Sequence, residues 1–110
     1  MANKYINKAF DFSITAAITI YTVPAETVAI VKAVQAYNDT ASAVTVTMSF
    51  TDASASTTYN IGYATSSTVQ QFSLLSDSLL VLEESDILKL TASVGTQVTG
   101  VASILEQDRT

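Results

Sequence analysis

The 110-residue chain has no cysteine, no histidine and no tryptophan, and each absence removes a class of chemistry. Without cysteine there is no disulfide framework, no thiolate nucleophile and no sulfur-ligated zinc or iron–sulfur site. Without histidine, its many serines lack the usual base that would make one of them a nucleophile. A serine–lysine pair would have to use Lys32 or Lys89, and neither stands in a motif of that kind. Glycine occurs three times (Gly62, Gly95, Gly100) and never in a cluster, so no loop is built to cradle a phosphate. These shortages argue against an enzyme, and no cofactor is expected.

Charge is scarce too. Charged residues make up 14% of the chain, against about 25% in an ordinary soluble domain. The five bases (Lys4, Lys8, Lys32, Lys89, Arg109) are scattered and outnumbered by ten acids, for a net charge of −5. Phosphate backbones and anionic membranes both demand clustered positive charge, so neither is an expected partner. No run reaches the ~18 consecutive apolar residues of a membrane span. Residues Ala9 to Ala25, following Lys4 and Lys8, imitate a signal peptide. Asp11, Thr15, Thr19 and Thr22 break their apolar core, and the segment flows on into strand-like sequence.

Apolar and hydroxyl side chains fill the gap, with 48% of residues hydrophobic. From Val44 to Thr51 the two kinds alternate at every step, which on a strand sends Val44, Val46, Met48 and Phe50 inward and the hydroxyls toward water. Further strands are expected near Phe10–Ile14 and over Ala17–Tyr21, Glu26–Tyr37, Thr58–Ala64, Val69–Leu75, Leu79–Leu82, Ile87–Val94 and Gln97–Leu105. Pro24, the only proline, marks a strand end or corner because it cannot donate to a ladder. Turns are expected at Asn38-Asp39-Thr40, Ser76-Asp77-Ser78, Glu83-Glu84-Ser85-Asp86 and Gly95-Thr96. Between Glu26 and Tyr37, alternation puts Val28, Ile30, Val34 and Ala36 on one face and Ala29, Val31, Ala33 and Tyr37 on the other. Both faces are apolar, so this strand is central or covered on its outer side.

Eight or nine short strands with a turn every eight to twelve residues predict an all-β fold, an antiparallel β-sandwich with Greek-key or jelly-roll-like connections. One domain is expected over residues 10–105, between an N-terminal arm (1–9), which lacks alternation, and a polar tail (106–110). A chain this apolar and lightly charged must wet its surface with hydroxyls or cover part of it with another chain.

Glu83, Glu84 and Asp86 form the densest acid group. A carboxylate hydrolase or a calcium site uses such groups, but there is no EF-hand spacing here, and an exposed, solvated turn accounts for them. Tyr59 and Tyr63 flank Ile61 and, by strict alternation, share a face. Such a face suits a protein interface or a sugar platform, and equally suits core tyrosines with their hydroxyls at the rim. Tyr5, Ile6, Phe10 and Phe12 make the N-terminal arm too apolar for a free tail. It either folds back as a first strand or lies on a neighbouring subunit.

Three segments resemble a known group. Ile20-Tyr21-Thr22-Val23-Pro24-Ala25 leads into Thr27-Val28-Ala29-Ile30-Val31-Lys32-Ala33 and Asn38, and Leu79–Asp86 leads into Ile87–Ser93. This is similar to the small virion structural proteins of tailed bacteriophages, with a YTVPAGxTAIVK…N opening and a later LxLexGDxLxAxAS segment. The match runs from Ile20 to Leu105. Glu26 stands where the group often has glycine, and Ser85 replaces the glycine before Asp86. Both departures concern turn geometry. The resemblance implies a non-enzymatic sandwich in the virion, assembled in the host cytoplasm. As a capsid decoration protein it would be a homotrimer bound to the major capsid protein, with Tyr5, Ile6, Phe10, Phe12, Tyr59, Ile61 and Tyr63 as contact residues. Neck or tail proteins are the alternative partners, and a carbohydrate-binding module for the host surface is the alternative of another class.

Overall fold

The computed structural model describes residues 3–12, 15–67, 69–75, 79–93 and 98–108. Among them run nine strands: β1 (Asn3–Asp11), β2 (Ile18–Thr22), β3 (Thr27–Asn38), β4 (Val44–Asp52), β5 (Thr57–Ser66), β6 (Gln70–Leu75), β7 (Leu80–Leu82), β8 (Ile87–Ala92) and β9 (Val98–Asp108). The expected turns at residues 76–78 and 95–96 and the strand ends at Ile14 and Val94 lie outside the described residues.

Pairing is nested. β1 pairs with β9, β2 with β8, β3 with both β6 and β7, and β4 with β5, all antiparallel. The chain is therefore one long ribbon doubled on itself. Rolled up, it adds a β3–β9 ladder and a β4–β8 ladder. The outcome is a sheet ordered β1-β9-β3-β6, with β7 also on β3 (sheet A), facing a sheet ordered β2-β8-β4-β5 (sheet B). This is the jelly-roll form of the predicted sandwich. Its strands are longer than expected in places, twelve residues in β3 and eleven in β9.

The core lies between the sheets. Sheet A contributes Ala29, Val31, Val34, Ala36, Ala102 and Ile104, and sheet B contributes Val44, Val46, Met48, Leu88 and Leu90, all buried. Burying each larger aliphatic side chain stabilises the fold by roughly 1.5–3 kcal/mol. Phe10 and Phe12 close one side, edge to face with ring centroids 5.6 Å apart.

Among the described residues, register shifts interrupt the β2–β8, β3–β6, β3–β9 and β4–β5 ladders. The β3–β9 register shifts between Val31 and Ala33. Ala29 and Val31 therefore share the inner face with Val34 and Ala36, while Val28 and Ile30 share the outer face with Ala33 and Tyr37. Strict alternation had divided these residues otherwise, because one extra residue reverses every later side chain. The segment expected as an arm is β1, paired with β9 from Asn3 to Asp11, so of its two possible courses it folds back as a first strand. It shows no alternation because it is an edge strand, with Phe10 its only buried residue. The polar tail likewise continues β9 as far as Asp108.

Side chains hold the turns. Asn38 accepts from the Thr40 amide at 2.9 Å and donates to the Ser42 carbonyl at 3.0 Å. Asp86, expected in solvent with its neighbours, is buried, and its carboxylate accepts from the amides of Ala53 (3.0 Å) and Glu83 (2.9 Å). That carboxylate ties the β4–β5 turn to the β7–β8 turn.

Candidate assembly surfaces

The two outer faces differ in chemistry. On sheet B, the outward residues of β4 are threonines. Thr45 meets Thr65 across the β4–β5 pair at 3.0 Å, and Thr51 meets Thr58 at 2.8 Å. Thr19, Lys89 and Thr91 continue this face. Hydroxyls satisfy one another in cross-strand pairs here, while Tyr63 projects from the same face, 75% exposed.

Sheet A is the reverse. The ladders align Tyr5 with Leu105, Leu105 with Ile30, and Ile30 with Val81, one apolar row across four strands. Its ends are open, with Tyr5 75% and Val81 58% exposed, while Leu105 and Ile30 are half-buried. Val28, Ala33 and Val101 extend the patch. Lys32 lies along it with its ammonium 5.8 Å from the Tyr5 ring centre, so the charge rests on an aromatic face. A depression of about 370 Å³ indents the same sheet near Gln35, Tyr37 and Val101.

The seven residues predicted to make contacts do not form one surface. Phe10 and Phe12 belong to the core and have nothing to offer a neighbour; they made the arm apolar because they fill the sandwich. Ile6 is half-buried against that core. Tyr5 is on the sheet A face. The other three are on β5, where the register shifts between Met48 and Ser49 and leaves Ile61 without a partner on β4. Tyr63 stands opposite Thr47 on the hydroxyl face. Tyr59 instead turns to Phe50, ring centres 5.8 Å apart, and Phe50 packs on the core. The bulge thus separates the two tyrosines, and the shared aromatic platform is not formed. Ile30, Val81 and Leu105 were missed as surface residues. Their signal was the apolar character of both faces of β3.

Acids collect at one end of the 47 Å long molecule. Glu26, Asp52, Glu83, Glu84, Glu106 and Asp108 all sit near the ends joined by the Thr22–Ile87, Thr51–Ile87 and Thr27–Asp108 pairs. Tyr21 donates to Glu106 there, beside a cleft of about 330 Å³ lined by Asn3, Lys4, Thr27 and Asp108. Burial, the bond to Glu106 and the carboxylate's charge together push the Tyr21 hydroxyl above its ordinary range. Among the described residues no three acids are placed to hold a metal ion.

No known family matches the sequence, and no curated protein matches it either. The fold does have likenesses. A chain in the acid-stable capsid structure of the Helicobacter pylori bacteriophage KHP30 superposes with a TM-score of 0.61 at 16% identity, over 96% of this chain and 87% of that one. A chain from the disulfide-linked pili of Bacillus endospore appendages gives 0.56 at 10% identity, over 96% and 84%. The globular domain of zebrafish complement 1qA gives 0.54 at 9% identity, over 94% and 96%. At such identities the likeness is one of fold.

Proposed function

We propose that this chain is a non-enzymatic structural component of a bacteriophage virion that decorates the capsid and binds its lattice as an oligomer. The observation that carries the assembly role is the apolar row Tyr5–Leu105–Ile30–Val81 across the outer face of sheet A. An exposed apolar patch with polar surroundings marks a surface made to be covered. The phage context is supported by the Tyr21–Ala25 and Leu79–Ser93 segments and by the fold shared with the KHP30 capsid chain, itself of one-domain size. The pilus likeness suggests a different mode of assembly, but cross-linking by disulfides is closed to a chain without cysteine. A module of this size reaches useful affinity by avidity, since a symmetric oligomer that spans several lattice sites multiplies modest contacts through effective concentration.

Copy number in purified particles tests the reading. Hundreds of copies per virion, located on the shell by difference density, are expected. Copy numbers from about six to a few tens, at the neck or tail, would replace decoration with an adaptor role. Absence from particles would end the virion reading.

A further inference from the structure

We infer that the depression on the outer face of sheet A, toward the Asn38 end of β3, binds a neutral saccharide. Tyr37 takes the C–H face of the sugar ring, and the side-chain amides of Gln35 and Gln71 take its hydroxyls. Such a site goes beyond the assembly role proposed above and stands independently of it.

Two cross-strand rows frame the depression. Val101 pairs with Gln35 in one, and Asp11, Thr99, Tyr37 and Gln71 align in the next. Between them lies the Ala36–Gly100 pair, which puts no side chain on this side, because Ala36 faces the core and glycine has none. The surface therefore dips to the backbone there, with Gln35, Tyr37, Gln71 and Val101 as its sides. Its volume of about 370 Å³ falls within the range of small-molecule sites, roughly 300–1,000 Å³. Tyr37 is 41% exposed.

A pyranose ring is amphipathic, with C–H faces and a rim of hydroxyls that each donate and accept. The depression matches both parts. Tyr37 and Val101 supply apolar surface for a C–H face. Gln71 donates from Nε2 to Gln35 Oε1 at 2.6 Å, which holds the two amides as one unit. That bond leaves the Gln35 amide nitrogen to donate and Gln71 Oε1 to accept, the two functions that neighbouring sugar hydroxyls call for.

The surroundings select against other ligands. Among the described residues, none that lines the depression is charged, and the one charge in the Tyr37 row is the carboxylate of Asp11, which repels anionic sugars. β3 is paired on both sides, by β9 and β6, so its backbone offers nothing to an added peptide strand. A wholly apolar ligand would strip water from the two amides without replacing its hydrogen bonds. The Tyr37 row lies six residues along β9 from the Leu105 row, about 20 Å, so the apolar row can be covered while Tyr37 stays open.

An amide-resolved NMR titration of the purified full-length chain tests this. The neutral probes are maltose, cellobiose, lactose and chitobiose, and the anionic probe is sialyllactose, each to 50 mM. At least one neutral disaccharide is expected to shift the signals of Tyr37, Gln71 and Gly100, and sialyllactose to bind more weakly than the best of them. Tyr37→Ala should weaken that best probe at least tenfold, and Gln35→Leu, which removes the donor and keeps the bulk, at least threefold. Tyr37→Phe keeps the ring and should bind within twofold of wild type. Tyr63→Ala, on the other sheet, should change nothing. Amide dispersion verifies the fold of each variant, and Gln71→Ala carries the same expectation as Gln35→Leu should Tyr37→Ala fail to fold. No shift with any neutral probe, shifts centred on Tyr59 and Tyr63, unchanged affinity in the Tyr37→Ala or glutamine variants, or tighter binding of sialyllactose each overturns the inference. Signals of Tyr37 and Gly100 that move with protein concentration and not with sugar would give the depression to a second copy, and overturn it too. No particle enters the measurement, so either result leaves the virion reading as it stands.

Discussion

Tyr21 of β2 and Glu106 of β9 join the two sheets at the acidic end, the phenol donating to the carboxylate at 2.5 Å. Burial first, then this bond and the neighbouring negative charge, all favour the neutral phenol, so its folded-state pKa lies above the ordinary value of about 10. The stabilisation is fully present below pH 10. It is lost as pH rises past 10 toward the folded-state value, by up to about 1.4 kcal/mol per unit. Tyr21→Phe should cost about 1.5–3 kcal/mol at pH 7, the worth of a hydrogen bond to a charged group. Above pH 10 the wild-type and variant stabilities should converge. Urea unfolding at pH 7, 9 and 11 measures both curves, and parallel curves would remove this bond as the cause.

Gly100 makes room for Phe10. A methyl group built on Gly100 would lie 2.4 Å from the Phe10 ring and 2.1 Å from the Gln35 carbonyl oxygen. The ring can shift. The carbonyl belongs to the central β3–β9 ladder and cannot shift without breaking pairs. Gly100→Ala should therefore destabilise by more than about 3 kcal/mol, the scale of severe overpacking. Adding Phe10→Ala should not rescue it, because the backbone clash remains. Recovery of wild-type stability in the double variant would refute the argument.

These two sites show what was legible from residue order. Strands were visible where one face is buried and the other wet, as in Val44 to Thr51, because a packed face imposes period two. β1 and the end of β9 were hidden because edge and end positions carry no such contrast; Lys4 and Lys8 on β1 are tolerated where water reaches them. The bulges at Lys32 and Ile61 were hidden as well. They arise from ladder register across strands distant in sequence, which local patterning does not encode. That is why Tyr59 and Tyr63 were grouped together and why the row through Ile30 and Leu105 was not assembled. The apolar outer side of β3 was legible, but its neighbours in the row come from three other parts of the chain.

Asp86 is a structural acid. Its two oxygens satisfy the Ala53 and Glu83 amides from inside the fold. Asp86→Ala leaves both donors without their acceptor and should cost about 2–4 kcal/mol. Asp86→Asn keeps the volume but turns an amide nitrogen toward one donor, so it should not restore full stability. Calcium or EDTA should leave the melting temperature of wild type unchanged. A rise of several degrees with calcium would reinstate a metal role for this acid group.

Among the described residues, three other than glycine hold positive φ: Glu26 (57°), Ser56 (53°) and Ser85 (71°). A side chain in this left-handed region costs roughly 1 kcal/mol relative to glycine. Glu26 and Ser85 are the two departures from the glycine-containing phage pattern that the sequence resembles, and both are places where this chain tolerates strain. Glu26→Gly, Ser56→Gly and Ser85→Gly should each stabilise by about 0.5–1 kcal/mol, or several degrees in melting temperature for a domain of this size. Glu26 lies at the acidic end, so removing its charge alone could stabilise the fold. Glu26→Ala separates the two causes, since alanine removes the charge and keeps the Cβ. Alanine should recover little of the gain, and an alanine variant as stable as the glycine variant would assign the effect to charge. Ser85 bonds through its amide to the Val23 carbonyl at 3.1 Å, three residues before Glu26. The combined Glu26→Gly and Ser85→Gly variant should therefore fall short of the sum of its parts, whereas Ser56→Gly, in the separate β4–β5 turn, should add nearly in full.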